Sequence, residues 1–217
     1  EVVQWWNNKK APHSNEETKD EERDASGHFM YTSQTEFYIY KADPKVATGQ
    51  GVVVIPGGGY YKLSMPYDGF AIAKYLRSIG VSVVLVKYRL PNGNREVPIE
   101  DSIAGLDYMR NNAEALGIDP KQVGMLGCSA GGHLVSLATH TLAVEKRPKF
   151  NILIYPATSG DIWSNYRLQN CFELLLGKWR TQVDIENNSC EKLNTSSDLM
   201  SPMATTTTSA MPRSLSE

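Results

Sequence analysis

The stretch QVGMLGCSAGGHLVSLATH (122–140) decides the fold class of this chain. Its apolar beginning, 123–126, predicts a buried strand, and the small and apolar residues that follow predict a helix over 130–142. Between them, Gly127-Cys128-Ser129-Ala130-Gly131 fits the pattern G-x-S-x-G. A tight strand-to-helix turn leaves room only for glycine two positions before and after the serine. The pattern therefore predicts a nucleophilic Ser129 above the sheet edge, and an ordinary turn capped by Ser129 is the alternative.

Strand-like and helix-like segments alternate on both sides of this motif. Strands are predicted at 36–40, 51–56, 81–88, 122–127 and 150–156, and helices at 66–80, 97–117 and 130–142. Continuous apolar runs such as GVVVIP and VSVVLVKY are typical of strands that are buried on both faces. Because parallel strands need crossover connections, we predict an α/β domain with a mostly parallel central sheet and helices on both faces.

A glycine-rich loop, Pro56-Gly57-Gly58-Gly59-Tyr60, follows the predicted strand at 51–55. Three glycines let the backbone approach a ligand closely and turn its N–H groups inward. Acyl-transfer hydrolases need two or three such donors for the oxyanion, one of them from the residue after the nucleophile. The candidates here are the amides of Gly58, Gly59 and Ala130. Neither GxGxxG nor GxxxxGK[ST] is present, which disfavours a phosphate loop, and a purely structural turn is the alternative.

Composition limits the remaining functions. The 217 residues suffice for one domain, and a net charge of −2 offers no basic field for nucleic acid. No apolar run is long enough to cross a membrane. Cys128, Cys171 and Cys190 form neither a disulfide framework nor a zinc site, so no metal or cofactor is predicted. Cys171 and Cys190 could form a bridge or remain unpaired thiols. The first residue is not Met, so export to the periplasm or medium stays open.

Three regions are distinguished along the chain. Residues 1–30 are polar and acidic, which predicts an irregular arm whose start is held by Trp5 and Trp6. Residues 31–194 form the α/β domain. Residues 195–217 are rich in Ser and Thr and predict a low-complexity tail.

The order of three motifs resembles a family of α/β-hydrolase esterases, the acetyl esterases, acetyl-xylan esterases and lipase-like proteins related to the hormone-sensitive-lipase group. The motifs are APHSNEETKDEERD (11–24), GVVVIPGGGYYKLSMPYDGFAIAKYLRSIGVSVVLVKYRLP (51–91) and GCSAGGHL (127–134), with PGGGY in place of HGGG. The resemblance covers about residues 11–160. It implies a Ser–Asp–His triad, no metal, and short acyl esters as substrates. On matching positions, Ser129 is the nucleophile, Gly58, Gly59 and Ala130 form the oxyanion hole, and YRLP (88–91) is structural.

The triad cannot be completed from the sequence. In this fold the acid and then the histidine follow the serine, and the resemblance implies an acid about 70–85 residues after Ser129. That window holds SPMATTTTSAMPRSLSE (201–217), which contains neither Asp nor His, so the sheet is predicted to lack its C-terminal strands. His133 is expected to pack within its helix, and His140 lies about 16 Å along it. Three explanations stay open: an incomplete or mis-sequenced end, a pseudoenzyme, or Asp and His supplied by another chain.

The sequence as a whole predicts a serine carboxylesterase that acts on short acyl esters, in particular acetyl groups on carbohydrate. The partner is a small-molecule or oligosaccharide ester, with no nucleic acid or membrane. A non-catalytic binding protein is the first alternative, and a peptidase or lipase on the same fold is the second. Trp163 and Tyr166 could form a platform for a sugar or pack in the core.

Overall fold

A six-stranded sheet forms the centre of the computed structural model, which describes residues 1–157 and 166–177 together with 184, 187 and 188. The strands of the described residues are β1 (Val2–Asn7), β2 (Glu22–Arg23), β3 (Phe29–Met30), β4 (Gln34–Tyr40), β5 (Gly51–Ile55), β6 (Ser82–Lys87), β7 (Val123–Cys128) and β8 (Asn151–Ile154). Their order in the sheet is β1-β4-β6-β5-β7-β8, and β2 and β3 form a separate antiparallel pair. Strands β6, β5, β7 and β8 are parallel, which confirms the predicted mostly parallel sheet.

Helices cover both faces of this sheet, as predicted. The helical segments are a π-helical turn (Met65–Ala71), α1 (Ile72–Ser78), α2 (Glu96–Asn111), α3 (Ala113–Leu116), α4 (Ala130–Thr141), a 3-10 turn (Val144–Lys146) and α5 (Tyr166–Leu176). The connection from β5 through α1 leads to β6, whereas the connection from β6 through α2 returns past β5 to β7. Right-handed crossovers in opposite directions place α1 on one face and α2 and α4 on the other. In agreement, α2 packs against α4.

The beginning of the chain belongs to the sheet, which corrects one prediction. The interpretation of residues 1–30 as an irregular arm is wrong for Val2–Asn7, because these residues form the antiparallel edge strand β1 beside β4. Trp6 does hold this segment, since its Nε1 donates a hydrogen bond of 2.6 Å to Oδ1 of Asp101. The Trp5 ring lies 5.2 Å from the ring of Phe37. The segment thus covers one edge of the sheet.

A buried arginine connects the N-terminal segment to α2. The Arg89 side chain is fully buried, and its Nη2 lies 2.8 Å from Asp101 and 2.6 Å from Glu100. Its Nη1 donates to the carbonyl oxygen of His13 at 2.6 Å. A buried charge needs such partners, because losing its hydration is costly. The adjacent Tyr88 donates to the carbonyl oxygen of Pro56 at 3.1 Å, and these contacts agree with a structural role for YRLP.

Several predictions fall on parts of the chain that the structure does not describe. They are the tail at 195–217, the loss of C-terminal strands, and the side-chain roles suggested for Trp163 and Tyr166. Among the described residues, no helix combines the length and the apolar character that a membrane span requires.

Candidate active site

Ser129 occupies a strained turn between β7 and α4. Its backbone has φ 52° and ψ −121°, a conformation that residues with a side chain rarely adopt. The glycines around it are required by packing. A Cβ atom on Gly127 would lie 2.3 Å from the carbonyl oxygen of Gly131, and one on Gly131 would lie 2.3 Å from that of Ile55. The turn therefore has the geometry of the serine elbow that the G-x-S-x-G pattern predicts.

The glycine loop lies directly beside this turn because β5 and β7 are neighbouring parallel strands. Ile55 is paired with Gly127 in the register, so Gly57 and Ser129 both lie two residues beyond the same position of the sheet. A Cβ atom on Gly57 would lie 3.1 Å from Cβ of Ser129. Gly58 has a φ of 130°, and a Cβ atom there would lie only 2.0 Å from the carbonyl oxygen of Lys62. Only glycine fits the loop at this position.

The N–H groups of this region are available to a ligand. Within the part of the chain that the structure describes, the N–H groups of Gly58, Gly59 and Ala130 make no hydrogen bond. Ala130 is also the first residue of the 12-residue helix α4, whose dipole favours negative charge at this end. Gly58, Gly59 and Ser129 line one cavity of about 1430 Å³. The structure thus brings the predicted site residues together, with free donors beside a serine.

Asp68 and Tyr155 are site residues that the sequence interpretation missed. The Tyr155 hydroxyl donates a hydrogen bond of 2.9 Å to Oδ1 of Asp68, and both residues line the cavity. A Cβ atom placed on Gly57 would lie 2.7 Å from the other carboxylate oxygen of Asp68, Oδ2, and 3.1 Å from Cβ of Ser129. The carboxylate therefore lies less than about 6 Å from Cβ of the serine. A position shortly after the glycine loop is the only sequence signal for Asp68.

His133 has a structural role in this arrangement, as expected. Its ring is fully buried, and the Tyr60 hydroxyl lies 2.9 Å from Nδ1. Its Nε2 lies against the carbonyl oxygen of Asn188. Because a carbonyl only accepts, Nε2 carries the proton and Nδ1 accepts from Tyr60. Burial lowers the pKa of His133 to about 4, so the ring is neutral at physiological pH.

The other three histidines lie in separate places, with His13 exposed and His28 and His140 partly buried. His13 pairs with Glu100 at 2.7 Å, and Nδ1 of His140 lies 2.7 Å from the carbonyl oxygen of Ser136. His28 pairs with Asp24 and lines the cavity that contains Ser129, a location for which the sequence offered no argument. Among the described residues, no histidine or carboxylate forms a hydrogen bond with the Ser129 hydroxyl.

Cys128, next to the serine in sequence, does not compete with it as a nucleophile. Cys128 is buried beneath the turn, and burial raises the pKa of its thiol to about 12, so it stays protonated. Cys171 is a free thiol, and Cys190 lies outside the described residues. No group of three or more metal-ligating side chains occurs among the residues that the structure describes.

The family of the chain follows from its sequence as well as from this geometry. A family profile described as alpha/beta hydrolase fold matches residues 52–215, which include the glycine loop and the serine turn. The chain therefore belongs to the α/β-hydrolase family, as the order of its motifs predicted.

Similar proteins include several esterases. An acetylxylan esterase of Xylanibacter ruminicola is 40% identical over 118 residues, which are 54% of this chain and 25% of that protein. An ethyl acetate hydrolase of Pseudomonas putida is 28% identical over 60% of this chain and 42% of its own length. The chain thus spans less than half of either relative.

One solved structure is similar over most of the chain. It is the acetyl ester-xyloside bifunctional hydrolase of Caldicellulosiruptor lactoaceticus, with a TM-score of 0.68, 24% identity, and coverage of 89% of this chain and 69% of that one. At 24% identity, this similarity supports the fold alone.

Proposed function

We propose that the protein is a serine carboxylesterase that hydrolyses short-chain acyl esters, with acetyl groups on carbohydrate as its natural substrates. The observation that carries this proposal is the position of Ser129 on a strained turn beside the N–H groups of Gly58, Gly59 and Ala130, which make no hydrogen bond to any described residue. A hydroxyl group next to donors that have no other acceptor suits a reaction in which a carbonyl oxygen becomes negatively charged.

The reaction has two steps. In the first, Oγ of Ser129 attacks the ester carbonyl, the C–O bond to the alcohol breaks, and an acyl-serine forms. In the second, water attacks that acyl group, which releases the acid and restores the serine. The oxyanion of each step would accept hydrogen bonds from the amides of Gly58, Gly59 and Ala130. A general base, which the described residues do not place at the Ser129 hydroxyl, would pass the serine proton to the leaving alcohol in the first step and a proton of the attacking water back to Oγ of Ser129 in the second.

Two relatives support the acetyl group as the acyl part. Their names specify hydrolysis of acetylxylan and of ethyl acetate, two esters with the same acid and very different alcohols. We therefore propose that the enzyme is specific for a short acyl group. The proposal of a xylan-type carbohydrate as the alcohol part rests on the acetylxylan esterase, which is the more similar of the two relatives.

A non-catalytic binding protein is the second candidate. It is favoured by the observation that, among the described residues, no histidine ring forms a hydrogen bond with the Ser129 hydroxyl. A serine without a base is a poor nucleophile, and losing one triad member usually costs several orders of magnitude in rate.

Hydrolysis assays separate these candidates. We expect the whole protein to release acetate from acetylated xylo-oligosaccharides and from p-nitrophenyl acetate, with lower rates on butyrate and octanoate esters. Ser129→Ala should lower kcat by about 10³-fold or more. If the wild type is as slow as Ser129→Ala and still binds the oligosaccharide in calorimetry, the binding protein is the correct assignment.

A further inference from the structure

A cluster of three charged or titratable side chains forms part of the wall of the cavity that contains Ser129. Nδ1 of His28 lies 2.8 Å from Oδ2 of Asp24, and Nζ of Lys62 lies 3.1 Å from the same oxygen. The three side chains are partly buried, with exposed fractions between 13% and 27%. His28 and Lys62 line the cavity itself.

The hydrogen bonds of the cluster determine which groups remain available. The hydrogen bond with the His28 ring holds the pKa of Asp24 well below its usual range, and Lys62 and two backbone N–H groups contribute smaller effects in the same direction. The carboxylate is therefore ionised and only accepts hydrogen bonds. Nδ1 of His28 lies 2.8 Å from this carboxylate and 3.0 Å from Nζ of Lys62, so it either donates to Asp24 or accepts from Lys62. Nε2 of His28 forms no hydrogen bond in the part of the chain that the structure describes, so it is available to a ligand, and Asp24 and His28 together leave at least one of the three Lys62 donors available.

Two exposed aromatic rings border this cluster. Tyr61 and Tyr67 are 55% and 62% exposed, and both line the cavity. Tyr67 lies 5.9 Å from the His28 ring, and Nζ of Lys62 lies 5.4 Å from the Tyr61 ring. Large aromatic side chains that remain exposed beside polar groups are typical of ligand contacts.

The combination matches the two kinds of surface on a sugar. A pyranose ring offers C–H faces that pack on aromatic rings and hydroxyl groups that both donate and accept hydrogen bonds. A long acyl chain would offer no hydrogen-bond partner to Nε2 of His28 or to the remaining donor of Lys62. Tyr61 and Lys62 also follow the glycine loop directly, so a group bound there lies next to the reacting ester.

We propose that His28, Lys62, Tyr61 and Tyr67 form a subsite that binds the sugar on the alcohol side of the ester, with Asp24 as the residue that orients His28 and Lys62. This subsite rests on the proposed esterase function and adds the groups that select its substrate. It also gives the N-terminal segment a part in substrate recognition.

The test compares two substrates that share an acetyl group. The ratio of kcat/KM for an acetylated xylo-oligosaccharide to kcat/KM for p-nitrophenyl acetate is measured in the whole protein. We expect His28→Ala to lower this ratio by about 10-fold, because a hydrogen bond to the sugar is lost. Tyr67→Ala should lower the ratio as well. Because the Tyr67 ring is exposed, its removal should leave the fold intact, so misfolding would not explain the fall.

His13→Ala is the matched control. His13 also forms a hydrogen bond of 2.7 Å with a carboxylate, that of Glu100, but it does not line the cavity, so the ratio should stay at the wild-type value. An unchanged ratio in His28→Ala and Tyr67→Ala, or an equal fall on both substrates, overturns the subsite and leaves the esterase assignment intact. If the wild type hydrolyses only p-nitrophenyl acetate, the carbohydrate substrate and the subsite are both wrong.

Discussion

At the scale of the residue, Ser129 lies in a turn that leaves no room for a Cβ atom on Gly127 or Gly131. The steric requirements of this turn involve only neighbouring residues, so the pattern G-x-S-x-G between a strand and a helix is sufficient to predict it. The contact between Tyr155 and Asp68 could not be found in this way, because the two residues are 87 positions apart and no spacing within a motif links them. The partners of His133 lie 55 and 73 positions from it, and only its burial in a helix was expected.

The buried His133 leads to a prediction on pH and stability. Its pKa is about 4 in the folded protein and near 6.5 in the unfolded chain, so only the unfolded state binds this proton between the two values. The stabilisation is complete above pH 6.5 and is lost as the pH falls towards 4, by about 2.5 kcal/mol between pH 7 and 4.5.

Urea unfolding at these two pH values measures this loss. In His133→Gln that share of the pH dependence should disappear, whereas in His13→Gln, which alters an exposed ring, it should persist. An equal loss of stability in the wild type and in His133→Gln would contradict the neutral, buried state of the ring.

Among the elements, the strands were easier to predict than the helix ends. The apolar runs of β5, β6 and β7 identify them directly, because both faces of each strand are buried. The segment predicted as one helix over 66–80 begins instead with a π-helical turn, which apolar periodicity does not distinguish from an α-helix. The predicted helix over 97–117 breaks at Asn112, whose side chain donates to the carbonyl oxygen of Tyr108.

The glycine loop after β5 yields a prediction at this scale. Gly58→Ala should lower kcat/KM for p-nitrophenyl acetate by about 100-fold or more, because the new Cβ would clash with the backbone of Lys62 and displace the oxyanion donors. The matched control is Gly49→Ala, which also has a positive φ but meets no atom within 4 Å.

Both variants should lose about 1 kcal/mol of stability from the positive φ, and only Gly58→Ala should lose activity. Thermal melts followed by circular dichroism check the folding of each. Full activity in a folded Gly58→Ala would mean that the loop does not bind the oxyanion.

At the scale of the whole molecule, the N-terminal segment was the main error of the sequence interpretation. The polar composition of residues 1–30 suggested an irregular arm, yet Val2–Asn7 form an edge strand. The pairing register with β4 shifts between Gln4 and Asn7, so the regular alternation that normally indicates a strand is interrupted. The N-terminal segment also contacts α2 through Arg89, and its His28 lines the cavity. Both positions depend on long-range contacts that no local sequence pattern encodes.

The central claim is that Ser129 is the nucleophile of an esterase, and labelling by a fluorophosphonate probe tests it most directly. The folded whole protein is incubated with the probe, and the modified residue is identified by peptide mass spectrometry. We predict one modification, on Ser129, that is absent in Ser129→Ala and retained in Ser136→Ala, which alters a buried serine of the same helix. A folded protein without labelling, or with labelling that persists in Ser129→Ala, would contradict the account.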